Sequence, residues 1–250
     1  MSGSLQGKVA IVTGASKGIG AAIARSFAAE GASVVVNYSS SKAGADKVVA
    51  DIEKAGGKAV AVQGDVGKAA DVKQIFAEAH EAYGAPDILV NNAGVYQFAP
   101  LEDVTEAEFH RQFNTNVLGT ILATQEAVKR FGNKGGSVIN VSSVASEHAM
   151  PNATVYAATK SALDSIGRNH AVELAGRKIR VNTIAPGGVE TEGTHSAGVI
   201  GSDFEKQMVA GTPLGRLGQP DDIAKVAVFL ASDAAGWITG ERVAVAGGFR

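Results

Sequence analysis

The sequence predicts a single α/β domain, doubly wound, with helices on both faces of a seven-stranded and mainly parallel sheet. Three observations lead there. Short apolar runs alternate with longer amphipathic ones along the whole chain. Those apolar runs are continuous rather than alternating, the pattern of strands covered on both faces. The 250 residues, 45% of them hydrophobic, suit one core of this class. They show no linker, repeat or low-complexity tract, so one domain is expected over residues 1–250.

Taken in order, VAIVT (9–13) reads as a buried strand and residues 18–30 as the helix after it. SVVVN (33–37) is followed by a helix over 42–55, KAVAVQ (58–63) by one over 69–83, and DILVNN (87–92) by a long one over 105–131. SVINVSS (137–143) leads to a helix over 154–175. IRVNTIA (179–185) leads into a Gly-rich stretch, with a short helix near 202–210 and another over 220–231, before a last strand ERVAVA (241–246). Strand–helix alternation of this kind implies right-handed crossovers. Ligands of such a sheet bind beyond the carboxyl ends of its strands, so the residues after each strand carry the functional reading.

After the first strand comes TGASKGIG, with Gly14, Gly18 and Gly20. Between a strand and a helix, glycines let backbone approach a pyrophosphate while the helix N-terminus presents free N–H groups to it. The turn Gly14, Ser16, Lys17, Gly18, Ile19, Gly20 is therefore a candidate dinucleotide site. An acid at the end of the second strand would favour NAD. That place holds Asn37, Tyr38, Ser39 and Ser40, followed by Ser41, with no negative charge. Lys17 adds a cation nearby, and a 2′-phosphate would be attracted there. The expected cofactor is NADP (NADPH) in preference to NAD.

Composition excludes other classes. No cysteine is present, which removes disulfides, thiolate chemistry and Cys-bound zinc and fits a reducing compartment. Lys and Arg (23) nearly balance Asp and Glu (25), so no nucleic-acid partner is expected. The start, MSGSLQGKVAIVTG, lacks a charged region followed by an apolar one. No apolar run approaches the roughly 18 residues that span a bilayer. The expected location is cytoplasmic, with no membrane partner. The five histidines lack paired ligand spacing, so no metal site is expected.

Tyr156 and Lys160 lie four apart and share a helix face. A cation beside a phenol lowers its pKa from about 10, giving an acid or base for neutral pH. Alone, the pair is equally compatible with a packing tyrosine beside a solvated lysine. The order of motifs is more specific. TGASKGIG (13–20), NNAG (91–94), Asn116, Ser143, Tyr156-x-x-x-Lys160 and Pro186-Gly187 follow one another over essentially the whole chain. In this the sequence resembles the short-chain dehydrogenase/reductase family. The spacing of thirteen positions from Ser143 to Tyr156 suits that family and favours Ser143 over Ser142.

The resemblance implies a Rossmann fold and hydride transfer between the cofactor and a C=O or CH–OH group. It implies that Tyr156 donates the proton and Ser143 orients the carbonyl. Lys160 would lower the tyrosine pKa and hold the nicotinamide ribose, and Asn116 would support a water linking Lys160 to solvent. Asp65, with Val66, would receive the adenine amino group. Asn92, Ala93 and Gly94 would line the cofactor, and Pro186, Gly187, Val189 and Thr191 would meet its nicotinamide side. The long segment at 187–210 is expected to be a lid. Tyr96, Val144, Glu147, His148, Met150 and Val189 are expected at the substrate wall, with Ser143 and Tyr156.

The substrate class expected is a small or medium ketone or keto ester. The rival within the family is a 3-oxoacyl chain on acyl carrier protein, for which Lys129, Arg130, Lys134, Arg177 and Lys178 would form the docking patch. Outside it, an NADP-binding sensor or scaffold would be expected to have lost Ser143, Tyr156 or Lys160, and none is lost. A sugar-nucleotide epimerase would need more chain after residue 186. The resemblance further implies a homotetramer, pairing through the helices at 105–131 and 154–175 with the carboxyl end near an interface.

Overall fold

Alternate side chains of a strand face opposite sides of its sheet, and the first strand shows the consequence. In the computed structural model, which describes residues 3–249, β1 (Val9–Val12) is buried at every position. Ala10 and Val12 enter one core and Ile11 enters another. The continuous apolar run is thus two alternating faces superposed. Met1, Ser2 and Arg250 of the expected domain lie outside the described residues.

The other strands are β2 (Ser33–Tyr38), β3 (Lys58–Gln63), β4 (Ile88–Asn91), β5 (Gly136–Val141), β6 (Ile179–Pro186) and β7 (Arg242–Val245). Their order is β3-β2-β1-β4-β5-β6-β7. Every pair is parallel, where the sequence led us to expect a mainly parallel sheet. Winding reverses between β1 and β4, which opens a crevice at their carboxyl ends.

Three helices cover one face: α1 (Gly18–Ala29), α2 (Lys42–Lys54) and, late in the chain, Pro220–Ala231. They bury Ile23, Phe27, Val48, Ile52, Ile223 and Leu230 there. The other face is covered by α3 (Ala69–Tyr83), Gly119–Arg130 and Thr154–Leu174, with Val72, Ile75, Phe76, Ala123, Ala127 and Leu174 inside. Each fully buried Ile or Phe contributes about 1.5–3 kcal/mol, so the two cores hold the sheet from both sides.

Two elements differ from expectation. The helix expected over 105–131 is α4 (Glu106–Gln112), a wide π turn at Phe113–Leu118, and α5 (Gly119–Arg130). Thr105 caps α4 by accepting from the Glu108 N–H, and so lies outside it. The wide turn shifts the register of α5 against α4 and leaves Asn116 fully buried. After α6 (Thr154–Leu174), the expected lid contains a helix that the Gly-rich pattern hid, α7 (Glu192–Ser196), besides α8 (Asp203–Ala210). A capping box between Thr191 and Thr194 starts α7. The last helix, α9, is Pro220–Ala231. Among the described residues no helix is long and apolar enough to cross a membrane.

Candidate active site

The glycine turn is clamped from below. Thr13 Oγ1 donates to Val90 O and accepts from the N–H groups of Asn92 and Ala93, joining the ends of β1 and β4. The Asn92 amide donates to Thr13 O (2.9 Å) and Gly14 O (3.0 Å). Gly14 has φ +61°, and a Cβ there would meet Ala93 Cα at 2.7 Å. A Cβ on Gly20 would meet Asn92 Nδ2 at 2.4 Å. Only glycine fits either place.

Above this turn lies a crevice of ≈ 840 Å³. Gly14, Ser16, Lys17, Gly18, Ile19 and Gly20 line it, with Asn37, Ser39, Ser40 and Ser41, then Asp65, Val66, Asn92, Ala93 and Gly94. Pro186, Gly187, Val189 and Thr191 close the far side. These residues fit a dinucleotide: a glycine cradle no side chain could fill, a helix N-terminus, and hydroxyls and an ammonium at one end.

Two cofactor expectations need correction. Tyr38 is 6% exposed, packs in the core and does not line the crevice. Asn37 lines it, but its amide is committed. Oδ1 accepts from Gly14 N, and Nδ2 donates to Val62 O and Gly64 O. It supports the turn and has no donor left for a phosphate. Asn92 lines the crevice as expected, with its amide donors on the turn.

The candidate reacting groups sit past β5 and on α6. Ser143 follows β5, with Oγ accepting from Ala145 N at 3.1 Å. Lys160 is 5% exposed; its Nζ donates to Val141 O (3.0 Å) and lies 5.6 Å from the Tyr156 ring centroid. Ser143, Tyr156 and Lys160 line one wall together. Asn116 stands behind them: Oδ1 accepts from Val95 N, and Nδ2 donates to Val95 O and Thr159 Oγ1. It does not line the crevice, and both its amide protons are taken, so the expected water cannot be held by its NH2 group.

The electrostatics reverse one expectation. The Tyr156 phenol is pushed up, not down: burial penalises the phenolate, and a polar contact with Ser143 offsets this only in part. Lys160 Nζ lies over the ring of Tyr156. Burial holds its ammonium down to about 8, although Asp164 pulls the other way.

The substrate end is more aromatic than its sequence revealed. Tyr96 and Phe98 stand edge-on to the Tyr156 ring, at 6.0 and 5.8 Å between centroids, and 5.4 Å from each other. Val144 and Met150 line this end as expected, joined by Phe204, Met208 and Phe249. Phe98 was legible as the residue two beyond Tyr96, and Phe204/Met208 as an (i, i+4) pair. Phe249 was not, because Leu214 N–H to Gly247 O, a long-range contact, folds the carboxyl end back. His148 packs edge-on behind Phe249 (5.4 Å) and does not reach the crevice. Glu147 is exposed and pairs with Arg242 at 3.0 Å, also outside it. Glu192 was missed as well: its carboxylate accepts from Gly18 N at 2.9 Å, joining α7 to the start of α1.

A family model described as enoyl-(acyl carrier protein) reductase matches residues 14–250. An uncharacterized oxidoreductase of Methylorubrum extorquens is 58% identical over 246 residues, covering 98% of this chain and 99% of that protein. The chain is a short-chain dehydrogenase/reductase.

Within the family, a hydroxynaphthalene reductase-like protein of Metarhizium majus is 41% identical over 98% of this chain and 96% of its own length. The structure of the angucycline C-6 ketoreductase LanV with bound NADP superposes with a TM-score of 0.93 at 36% identity, covering 100% and 98% of the two chains. This short-chain dehydrogenase/reductase is accordingly an oxidoreductase of carbonyl and hydroxyl groups that uses a nicotinamide cofactor.

Proposed function

We propose that this enzyme reduces a neutral ketone carried on a flat ring system, using NADPH. The observation that carries the reading is that Ser143, Tyr156 and Lys160 line one wall of the crevice that also holds the glycine turn. Reduction needs a protonated donor, and burial keeps the Tyr156 phenol in its protonated form at neutral pH. The nicotinamide supplies the hydride when bound. Tyr156 Oη donates its proton to the carbonyl oxygen, and Ser143 Oγ orients that oxygen. Lys160 can resupply the proton, since its own pKa of about 8 lies near neutrality.

For the substrate, the crevice beyond Tyr156 offers Tyr96, Phe98, Met150, Phe204, Met208 and Phe249 and, among the described residues, no charged side chain. Tyr96, Phe98 and Phe204 remain 41–43% exposed there, apolar surface that awaits a partner. The names of the two relatives, a hydroxynaphthalene reductase-like protein and an angucycline ketoreductase, agree with a ring-bearing substrate. For the cofactor, Lys17, Ser39, Ser40 and Ser41 meet a 2′-phosphate without an acid at the end of β2.

Acyl carrier protein docking has less support. Lys129 and Arg130 share one carboxylate, Glu126, Arg130 also lies over Phe76, and Arg177 donates to Val128 O, so three of the five cations are engaged within the fold. A homotetramer is part of the same reading, with Phe109, Leu118 and Val172 exposed on the helices assigned to pairing; light scattering showing a monomer at all concentrations would remove it.

The test is a panel of bicyclic aromatic ketones, aliphatic ketones and acetoacetyl thioesters, each with NADPH and NADH, monitored at the reduced nicotinamide absorbance. Highest kcat/KM is expected for a bicyclic ketone with NADPH. Tyr156→Phe should bind NADPH and lose kcat by about 10²–10⁴-fold. A preference for the thioester, or unchanged turnover in Tyr156→Phe, would overturn the reading.

A further inference from the structure

We propose that Arg242, on the edge strand β7, is a positioning residue that acts through Ser143. Its guanidinium is 15% exposed and joins three segments. Nε donates to Asp164 Oδ2 on α6 at 2.9 Å. Nη2 donates to the backbone oxygen of Ser143 (3.3 Å) and to Ser146 Oγ (3.1 Å). Nη1 pairs with Glu147 at 3.0 Å. Asp164, 6% exposed, lies two helical turns beyond Tyr156 and one beyond Lys160.

One side chain thus ties the helix that carries Tyr156 and Lys160 to the loop that carries Ser143. The Ser143 carbonyl also accepts from Ser146 N and Ser146 Oγ, so the serine's backbone is held from two directions. A buried ion pair is a weak device for stability, because desolvation offsets its attraction. Its geometric effect is definite: it sets the separation of the Ser143 hydroxyl from the Tyr156 phenol, and misplacement of a reacting group by about 1 Å can cost about 10²-fold.

The proposal rests on the reading that Ser143 and Tyr156 act together on a carbonyl oxygen. The experiment is a double-mutant cycle between Arg242→Met and Ser143→Ala, with kcat, KM and NADPH affinity measured on the best ketone of the panel. In the wild-type background Arg242→Met should lower kcat about tenfold to a hundredfold, with NADPH affinity held within about twofold and Arg242→Lys restoring part of the rate. In the Ser143→Ala background the same change should cost less than about threefold. Equal losses in both backgrounds, or an unchanged kcat, would overturn it. Should Arg242→Met not fold, Arg242→Gln replaces it in the same cycle with the same expectations. Wild-type enzyme inactive on every ketone would fail the proposed function instead, which separates the two outcomes.

Discussion

The two walls of the crevice are held by different kinds of bond. On the sheet-backed wall, buried amides and hydroxyls grip backbone and one another. Asn91 bonds Thr124 and Asn140, Asn92 and Thr13 clamp the glycine turn, and Asn116 clamps Val95. On the lid wall, between β6 and α9, the ties are side-chain carboxylates at the surface. Glu190 bonds His195 and Gln219, and Glu192 bonds Gly18 N–H. Buried amide bonds are costly to leave unmade, about 1–3 kcal/mol each, whereas exposed ion pairs contribute about 0–1 kcal/mol. The groups proposed to do chemistry therefore stand on the more firmly held wall, and Phe204 and Met208, which would meet the substrate, stand on the other.

Substitutions should sharpen this contrast. The largest effect belongs to Lys160→Met on the rigid wall, which should lose nearly all turnover. Its stability should move the other way. The folded Lys160 pKa of about 8 lies below its ordinary 10.5, so below pH 8 the fold carries a buried charge that the unfolded chain carries in water. That shift corresponds to about 3 kcal/mol. Subtracting about 1 kcal/mol for the lost bond to Val141 O leaves a gain of about 2 kcal/mol at pH 7. Wild-type stability should also rise between pH 8 and 10.5, where the unfolded state binds the extra proton, and the variant should lack that slope. Denaturant unfolding at pH 7 and pH 9.5 checks both, and a destabilised variant at pH 7 would refute the account.

On the lid wall, Phe204→Ala should raise KM for a bicyclic ketone about tenfold, equivalent to about 1.4 kcal/mol of ring contact. Its kcat should change little and its unfolding midpoint should not move, since Phe204 is 41% exposed. Loss of kcat with KM unchanged would place Phe204 on the chemical wall instead. The smallest effect is expected for Glu192→Gln. Its carboxylate takes a Gly18 N–H at the helix start where a pyrophosphate would be attracted. Removing that negative charge should tighten NADPH binding about twofold to fivefold, read by fluorescence titration. Weaker binding would show that the carboxylate latches the lid over the cofactor.

Much of this arrangement was legible before any coordinates. The strand and helix of KAVAVQ and 69–83 fall on Lys58–Gln63 and Ala69–Tyr83, because burial periodicity is written within a dozen residues. Ser143, Tyr156 and Lys160 come together because strand ends and one helix face are also local facts. The wide turn at Phe113–Leu118 was invisible: its residues are ordinary helix formers in pattern, and the turn coincides with bonds to Val95, twenty-one residues earlier.

By itself, the order of apolar runs and strand-end motifs determined the doubly wound sheet, the place of the crevice and the family of the enzyme. Tertiary structure alone decided that Tyr156 is raised rather than lowered, that Tyr38 and the Asn37 amide are unavailable to a phosphate, and that Phe249, Glu192 and Arg242 belong near the site. The physical reason is range. Periodicity is a property of neighbours, while a dielectric environment and a hydrogen-bond partner come from residues as distant as Gly18 and Glu192 in the chain.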